Sequence, residues 1–169
     1  MSELTFEIGD KVVYSTHGIG EIVNIESHTI ACQDLKVYVI SMFNPKISIK
    51  VPCHKVKNSC LRHLTDKSKL NEVFNILQSR NPCVIPYKSK SKRFNDYKEK
   101  LNSGHLSELG MVVRDLYSED LSLVSYSQKS LYESALNRLA HELSILKGIE
   151  MNEILNSIVG MVKKAKNFG

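Results

Sequence analysis

The residues best placed to do chemistry lie in the stretch YSTHGIGEIVNIES, from Tyr14 to Ser27. His17 stands beside two glycines and ahead of an apolar run, as in a phosphate-binding loop or a turn that presents a general base. A glycine loop that binds phosphate leads into a helix, whose first amides hold the anion. Here a β-prone run follows, so we interpret Gly18 and Gly20 as a corner between strands and His17 as a surface histidine.

No other stretch has a complete catalytic or metal-binding motif; the nucleophile elbow, the HExxH helix and the Walker loop are all missing. Asp115 beside Arg114 could be a general base, but a helix-surface ion pair is the better interpretation. Cys53, Cys60 and His63 lie close together without the paired cysteine spacing of structural zinc sites. We therefore expect no enzyme, no metal, no cofactor and no small-molecule substrate.

Composition and charge indicate an ordinary globular chain of 169 residues, with 42% hydrophobic residues and a net charge of +5. No apolar run approaches the roughly 18–20 residues that span a bilayer. The amino-terminal segment MSELTFEIGD has no apolar core of a secretion signal. We expect a cytoplasmic protein that does not enter a membrane.

The hydrophobic period changes near residue 64. Short β-prone runs and tight turns precede it, and ISIKVP alternates strictly, which puts Lys50 on the face opposite its isoleucines. From Thr65 onward, apolar residues recur at helical spacing. The predicted fold is α+β: a small, strongly bent antiparallel β-barrel over residues 1–64, then an all-α domain over residues 65–169.

Five amphipathic stretches make up the helical half. Thr65 or Asp66 can cap the first of them. The others begin near Ser91, Leu106, Ser125 and Met151. Ser125 and Gln128 form a capping-box pattern, Gly148 fits the C-terminal end of the same helix, and the last helix has Ile154, Ile158 and Met161 on its apolar side.

Positive charge concentrates between residues 87 and 100, where only Asp96 and Glu99 oppose six cations. The cations are Lys88, Lys90, Lys92, Arg93, Lys98 and Lys100. Tyr87 and Phe94 are interleaved with them, which suits contact with nucleic-acid phosphates and ring insertion or stacking. A solvated helix start is the alternative. Lys50 belongs to a second basic set, which can equally bind an acidic protein surface.

Several motifs in order resemble the CarD family of bacterial transcription regulators. They are FEIGDKVVYSTHGIGEIVNIE, ISIKVP, LRHL, KEKLNSGHLSELGMVVRDLY and SLYESALNRLAHEL. The resemblance implies a Tudor-like (SH3-like) amino-terminal domain, shared with the transcription-repair coupling factor, that docks on the RNA polymerase β subunit. It implies that the helical domain contacts promoter DNA at the upstream edge of the melted bubble and stabilises the open complex at initiation.

The resemblance also implies roles for individual residues. The polymerase-facing positions of the family fall on His28, Ile30 and Lys50. Lys50 keeps a positive charge without the bidentate fork of the arginine often found there, and a histidine is a weaker electrostatic contact near neutral pH.

The DNA-binding positions fall on Lys90, Lys92 and Arg93, with Tyr87 and Lys88 just before them. Family members commonly have a wedge tryptophan where this chain has Lys90, and the chain contains no tryptophan. Tyr87 could substitute for the missing ring. The rival hypothesis is a generic basic DNA-binding or nucleoid-associated protein without a polymerase partner.

Overall fold

The structure is a computed structural model that describes residues 5–59, 61–80 and 89–168. The chain divides into two compact units, Met1–Leu64 and Thr65–Gly169. Each unit has its own hydrophobic core. The first is an antiparallel sheet of five strands and the second is built of helices, which confirms the predicted α+β class.

The sheet of the first unit has the strand order β4-β3-β2-β1-β5, with every neighbouring pair antiparallel. The strands are β1 (Lys11–Tyr14), β2 (Gly18–Ile30), β3 (Gln33–Met42), β4 (Ser48–Pro52) and β5 (Leu61–His63). A 3₁₀-helix, Cys53–Asn58, leads from edge strand β4 towards edge strand β5 and buries Val56 in the core. Long strands β2 and β3 are therefore the central support for side chains on the sheet.

The glycine corner between β1 and β2 serves backbone geometry, as the sequence predicted. Gly18 has a φ of +92°, which favours glycine, and a Cβ on Gly20 would lie 2.7 Å from the carbonyl oxygen of Ser41. His17 is exposed and its ring stacks on Tyr14 at a centroid distance of 5.3 Å. The histidine is thus part of a turn that packs on its own strand.

The second unit contains five α-helices. They are α1 (Leu70–Gln78), α2 (Lys90–Ser103), α3 (Leu106–Leu116), α4 (Tyr126–Lys147) and α5 (Met151–Asn167). Ser125 caps α4 by accepting a hydrogen bond from the backbone N–H of Gln128, and Gly148 ends the same helix with a φ of +66°. These caps were predicted, because each depends on side-chain chemistry within a few residues.

Two details of the helical prediction are wrong. Neither Thr65 nor Asp66 caps α1 with its side chain, because a 3₁₀-helix, Lys67–Lys69, separates them from its first residue. The backbone N–H of Thr65 instead donates to Oε1 of Glu142, 2.9 Å away. In α5, Val162 rather than Met161 completes the buried stripe with Ile154 and Ile158, since Met161 is only half-buried.

Candidate functional site

A β-bulge in β2 decides which side chains face away from the core of the sheet. Val23 is the extra residue at this irregularity and is 47% exposed. Because alternate residues of a strand point to opposite faces, one inserted residue reverses the faces of all that follow. Ile25 consequently packs against the core, while Glu26, His28 and Ile30 project from the opposite face.

Glu26 connects two of the residues implied as polymerase contacts. Its Oε2 accepts a hydrogen bond from Nζ of Lys50 at 2.8 Å and lies 2.8 Å from Nε2 of His28. The hydrogen bond from Lys50, and then the contact with His28, lower the pKa of Glu26 below its ordinary value. The carboxylate therefore fixes two basic side chains of β2 and β4 at one point. The spacing of Glu26 and His28 puts both on one face of the strand, but the sequence does not show that this face is the outer one.

Valines of β3 lie beneath this charged cluster. Val37 pairs with Glu26 and Val39 pairs with Lys50, so their side chains share the same face of the sheet. Both valines are at most 9% exposed, whereas Ile30 at the end of β2 is 62% exposed. We call Glu26, His28, Ile30 and Lys50 the outer sheet surface. It joins a balanced charge cluster to one exposed apolar side chain, a combination suited to a protein partner.

The first turn of α2 contains several basic side chains and no acidic residue. Ser89 caps the helix by accepting a hydrogen bond from the backbone N–H of Lys92 at 3.3 Å. The turn itself contains Lys90, Lys92 and Arg93, all exposed, and no acidic residue. A helix N-terminus already carries partial positive charge, so these side chains add like charge to it. We call this end of α2 the cationic turn, and its positive charge favours the binding of an anion. Tyr87 and Lys88 lie outside the described residues.

The basic residues further along α2 already contact other side chains of the same helix. Nζ of Lys100 is 3.1 Å from Oδ2 of Asp96, and Nζ of Lys98 lies over the ring of Phe94 at 4.8 Å. Phe94 is half-buried against the helical core, so its ring is not available to insert between bases. The candidate nucleic-acid site therefore narrows from the whole basic segment to the cationic turn.

Arg93 is connected to α3 by a series of hydrogen bonds. Its Nε donates to the hydroxyl of Tyr97 at 3.2 Å, and that hydroxyl donates to Oδ2 of Asp115 at 3.4 Å. Nε of Arg114 donates to Oδ1 of the same carboxylate at 2.8 Å. Burial raises the pKa of Tyr97 and keeps its hydroxyl protonated as a donor. The cationic turn is thus tied to α3.

The ion pair of Arg114 and Asp115 is buried, which corrects the predicted helix-surface pair. Their side chains are 7% and 4% exposed. Periodicity placed them on an amphipathic helix but could not show that α2 covers that side of it. Among the described residues, Nη2 of Arg114 is one of two buried side-chain nitrogens without a hydrogen-bond partner, which makes its carboxylate partner more important.

Comparison with known proteins covers both units. The family model described as "CarD-like/TRCF RID domain" matches residues 6–65, and "CarD, C-terminal domain" matches residues 72–159. The chain belongs to the CarD family. A relative in Bacillus subtilis (strain 168), named "Putative transcription factor YdeB", is 31% identical over 151 residues, which cover 88% of this chain and 97% of that protein.

CarD-family membership gives the chain a general role in transcription. RID domains are Tudor-like and interact with RNA polymerase, and the outer sheet surface lies within the matched range. The cationic turn lies within the matched C-terminal domain. The chain is a transcription-factor homologue. In the part of the chain that the structure describes, no helix is both long and apolar enough to cross a bilayer.

Proposed function

We propose that this CarD-family protein is a non-enzymatic regulator that binds the RNA polymerase β subunit and promoter DNA and stabilises the open complex at initiation. One observation carries the proposal: a chain with an RNA polymerase-interacting domain also presents, on its C-terminal domain, a helix start with three cations and no acid. Phosphates of DNA are the anions that such a surface binds in a transcription complex. The protein would act in the cytoplasm, associated with the nucleoid, without a cofactor.

The outer sheet surface is the proposed contact with the β subunit. His28 and Lys50 offer donors held by Glu26, and Ile30 offers apolar area. A pull-down with the β lobe of the cognate polymerase should capture the wild-type chain and lose Lys50→Glu. Lys36→Glu is the matched control. Lys36 is an exposed lysine of β3 whose side chain lies on the opposite face of the sheet. Equal loss in both variants would contradict a contact through this surface.

The cationic turn is the proposed contact with promoter DNA at the upstream edge of the bubble. Lys90, Lys92 and Arg93 would bind backbone phosphates, and Tyr87 and Lys88 would extend the contact. Lys90 stands where family members commonly have the wedge tryptophan, and a lysine cannot hold a base step open. We therefore expect weaker and more salt-dependent open-complex stabilisation than in relatives with the wedge.

The decisive measurement is the lifetime of an open complex formed by the cognate polymerase, with and without the protein. The wild-type chain should lengthen the lifetime, and Lys90→Trp should lengthen it further. A generic nucleoid-associated protein would bind duplexes of any sequence and leave the lifetime unchanged. If Lys90→Trp has no effect on a lifetime that the wild type extends, the missing wedge does not limit activity.

A further inference from the structure

A groove on the helical unit lies between the C-terminal ends of α1 and α5. Its volume is about 490 Å³, which falls in the usual range for small-molecule sites. Arg80 follows α1 on one side, and Lys164 and Phe168 belong to the end of α5 on the other. None of its described lining residues is acidic. The groove is separate from the cationic turn, whose residues do not line it.

Lys164 differs from the two lysines on either side of it in what it contacts. Nζ of Lys166 donates to the carbonyl oxygen of Tyr117 at 2.6 Å, and Nζ of Lys163 lies 3.8 Å from Oε1 of Glu119. Among the described residues, neither Lys164 nor Arg80 has an ion-pair partner. Cations near helix C-termini favour the macrodipole, which accounts for lysines there in general. It does not account for an open groove between two unpaired cations.

Gly160 lines the groove and is an unusual residue for the inside of a helix. A Cβ added to Gly160 would meet nothing within 4 Å, so neither packing nor a positive φ requires glycine there. A Cβ added to Gly110 in α3 would instead make ordinary van der Waals contact with Val73 and Ile76 of α1, at 3.6–3.7 Å. Glycine within a helix is destabilising relative to alanine. Position 160 therefore faces unfilled space in the folded chain, and only a side chain larger than alanine would extend into the groove.

We propose that this groove binds a nucleoside di- or triphosphate. Arg80 and Lys164 would pair with the phosphates, and Ser157 supplies a hydroxyl on the same wall. The ring of Phe168, which is 72% exposed, and the half-buried Met161 would contact the planar base. The combination of two cations and an apolar wall matches a phosphorylated ligand with an aromatic part better than it matches phosphate alone.

The test is isothermal titration of the full chain with ADP, ATP, GDP and GTP. At least one should bind with a Kd between about 1 μM and 1 mM. Gly160→Leu places a bulky side chain in the groove and should weaken binding about tenfold or more, as should Arg80→Ala with Lys164→Ala. Gly160→Ala should retain binding and melt about 2–4 °C higher, because alanine is the better helix former. Lys163→Ala is the control for charge alone.

Three results would overturn the proposal. They are the absence of binding by all four nucleotides, equal binding by Gly160→Leu, and equally tight binding of inorganic pyrophosphate, which would show simple attraction of phosphate to lysine. If Gly160→Leu fails to fold, the exposed pair Arg80 and Lys164 decides the question. A short DNA duplex is the other phosphate source: weaker duplex binding in these variants without any nucleotide binding assigns the groove to DNA. The inference is independent of the polymerase assays, which use other residues.

Discussion

Lys50 on the outer sheet surface and Lys92 in the cationic turn are both exposed lysines, but they differ in what balances their charge. Lys50 donates to Glu26 at 2.8 Å, and the same carboxylate contacts His28. Lys92 stands in a helix turn with no acid, at the positive end of the helix dipole. One lysine is held in a defined position, whereas the other is left to attract anions.

This difference separates two kinds of recognition. A balanced cluster has little long-range field, so a partner must match its geometry and the neighbouring Ile30. An unbalanced turn releases counterions when phosphates bind, which gives salt-dependent affinity with little sequence information. The proposed protein contact and the proposed nucleic-acid contact therefore differ in the kind of recognition that each uses.

The cationic turn depends on its contacts with α3, and Asp115→Ala removes that support with the largest expected effect. The variant leaves Arg114 buried without its carboxylate and removes the acceptor of Tyr97. Breaking a buried pair typically costs about 3–5 kcal/mol. Chemical denaturation should show this loss in the helical unit. Glu119→Gln is the control: it weakens an exposed pair and should change stability by less than about 1 kcal/mol.

A double charge reversal on the outer sheet surface tests whether a protein partner recognises the charge at position 50. Lys50→Glu alone should weaken polymerase binding about tenfold or more, because it puts a second carboxylate beside Glu26. Combined with Glu26→Lys, it restores an ion pair of opposite direction. If the partner binds the charge at position 50, the double variant stays weak; full recovery would mean that only the pair, and not its direction, matters. Biolayer interferometry with the β lobe distinguishes the two.

The salt dependence of DNA binding tests the proposed role of the cationic turn. Lys90→Ala and Lys92→Ala should each reduce the slope of log K against log salt by about 1 for a short duplex. Lys98→Ala should reduce it less, because Lys98 already lies over Phe94. Fluorescence anisotropy across a salt series gives the slopes. Equal reductions for all three lysines would show that the whole basic segment, rather than the cationic turn, contacts DNA.

The parts of the fold that local chemistry determines were predictable from sequence. The period changes near residue 64, and the caps at Ser125 and Gly148 each involve only neighbouring residues. The resemblance also gave the family correctly, because its motifs extend in order through both matched domains. The start of α1 was missed because Lys67–Lys69 contains no apolar residue, so the apolar period could not locate the boundary between the 3₁₀-helix and the α-helix.

The parts of the site that depend on distant residues were not predictable. Val23 is a bulge residue, and simple alternation from Ile22 would have turned Glu26 towards the core. Lys50 is 24 positions from Glu26, and Tyr97 is 18 positions from Asp115. Such contacts follow from strand register and helix packing, which short-range sequence patterns do not reveal. The burial of the Arg114–Asp115 ion pair likewise depends on helix packing and was not predictable.

The smallest expected effect concerns the Glu26 carboxyl group, whose pKa lies below the ordinary value of 4.5 in the folded chain. A carboxyl whose pKa falls on folding stabilises the folded state above its unfolded pKa. That contribution is lost as the pH falls through the lowered value. Side-chain NMR titration should show the pKa of Glu26 rising towards its ordinary value in Lys50→Ala, and rising less in His28→Ala, because the Lys50 hydrogen bond is the largest cause. Lys36→Ala should leave it unchanged. If Lys50→Ala also leaves it unchanged, Lys50 does not bind Glu26 in solution, and the charge of Lys50 must then be treated as unbalanced, like that of Lys92.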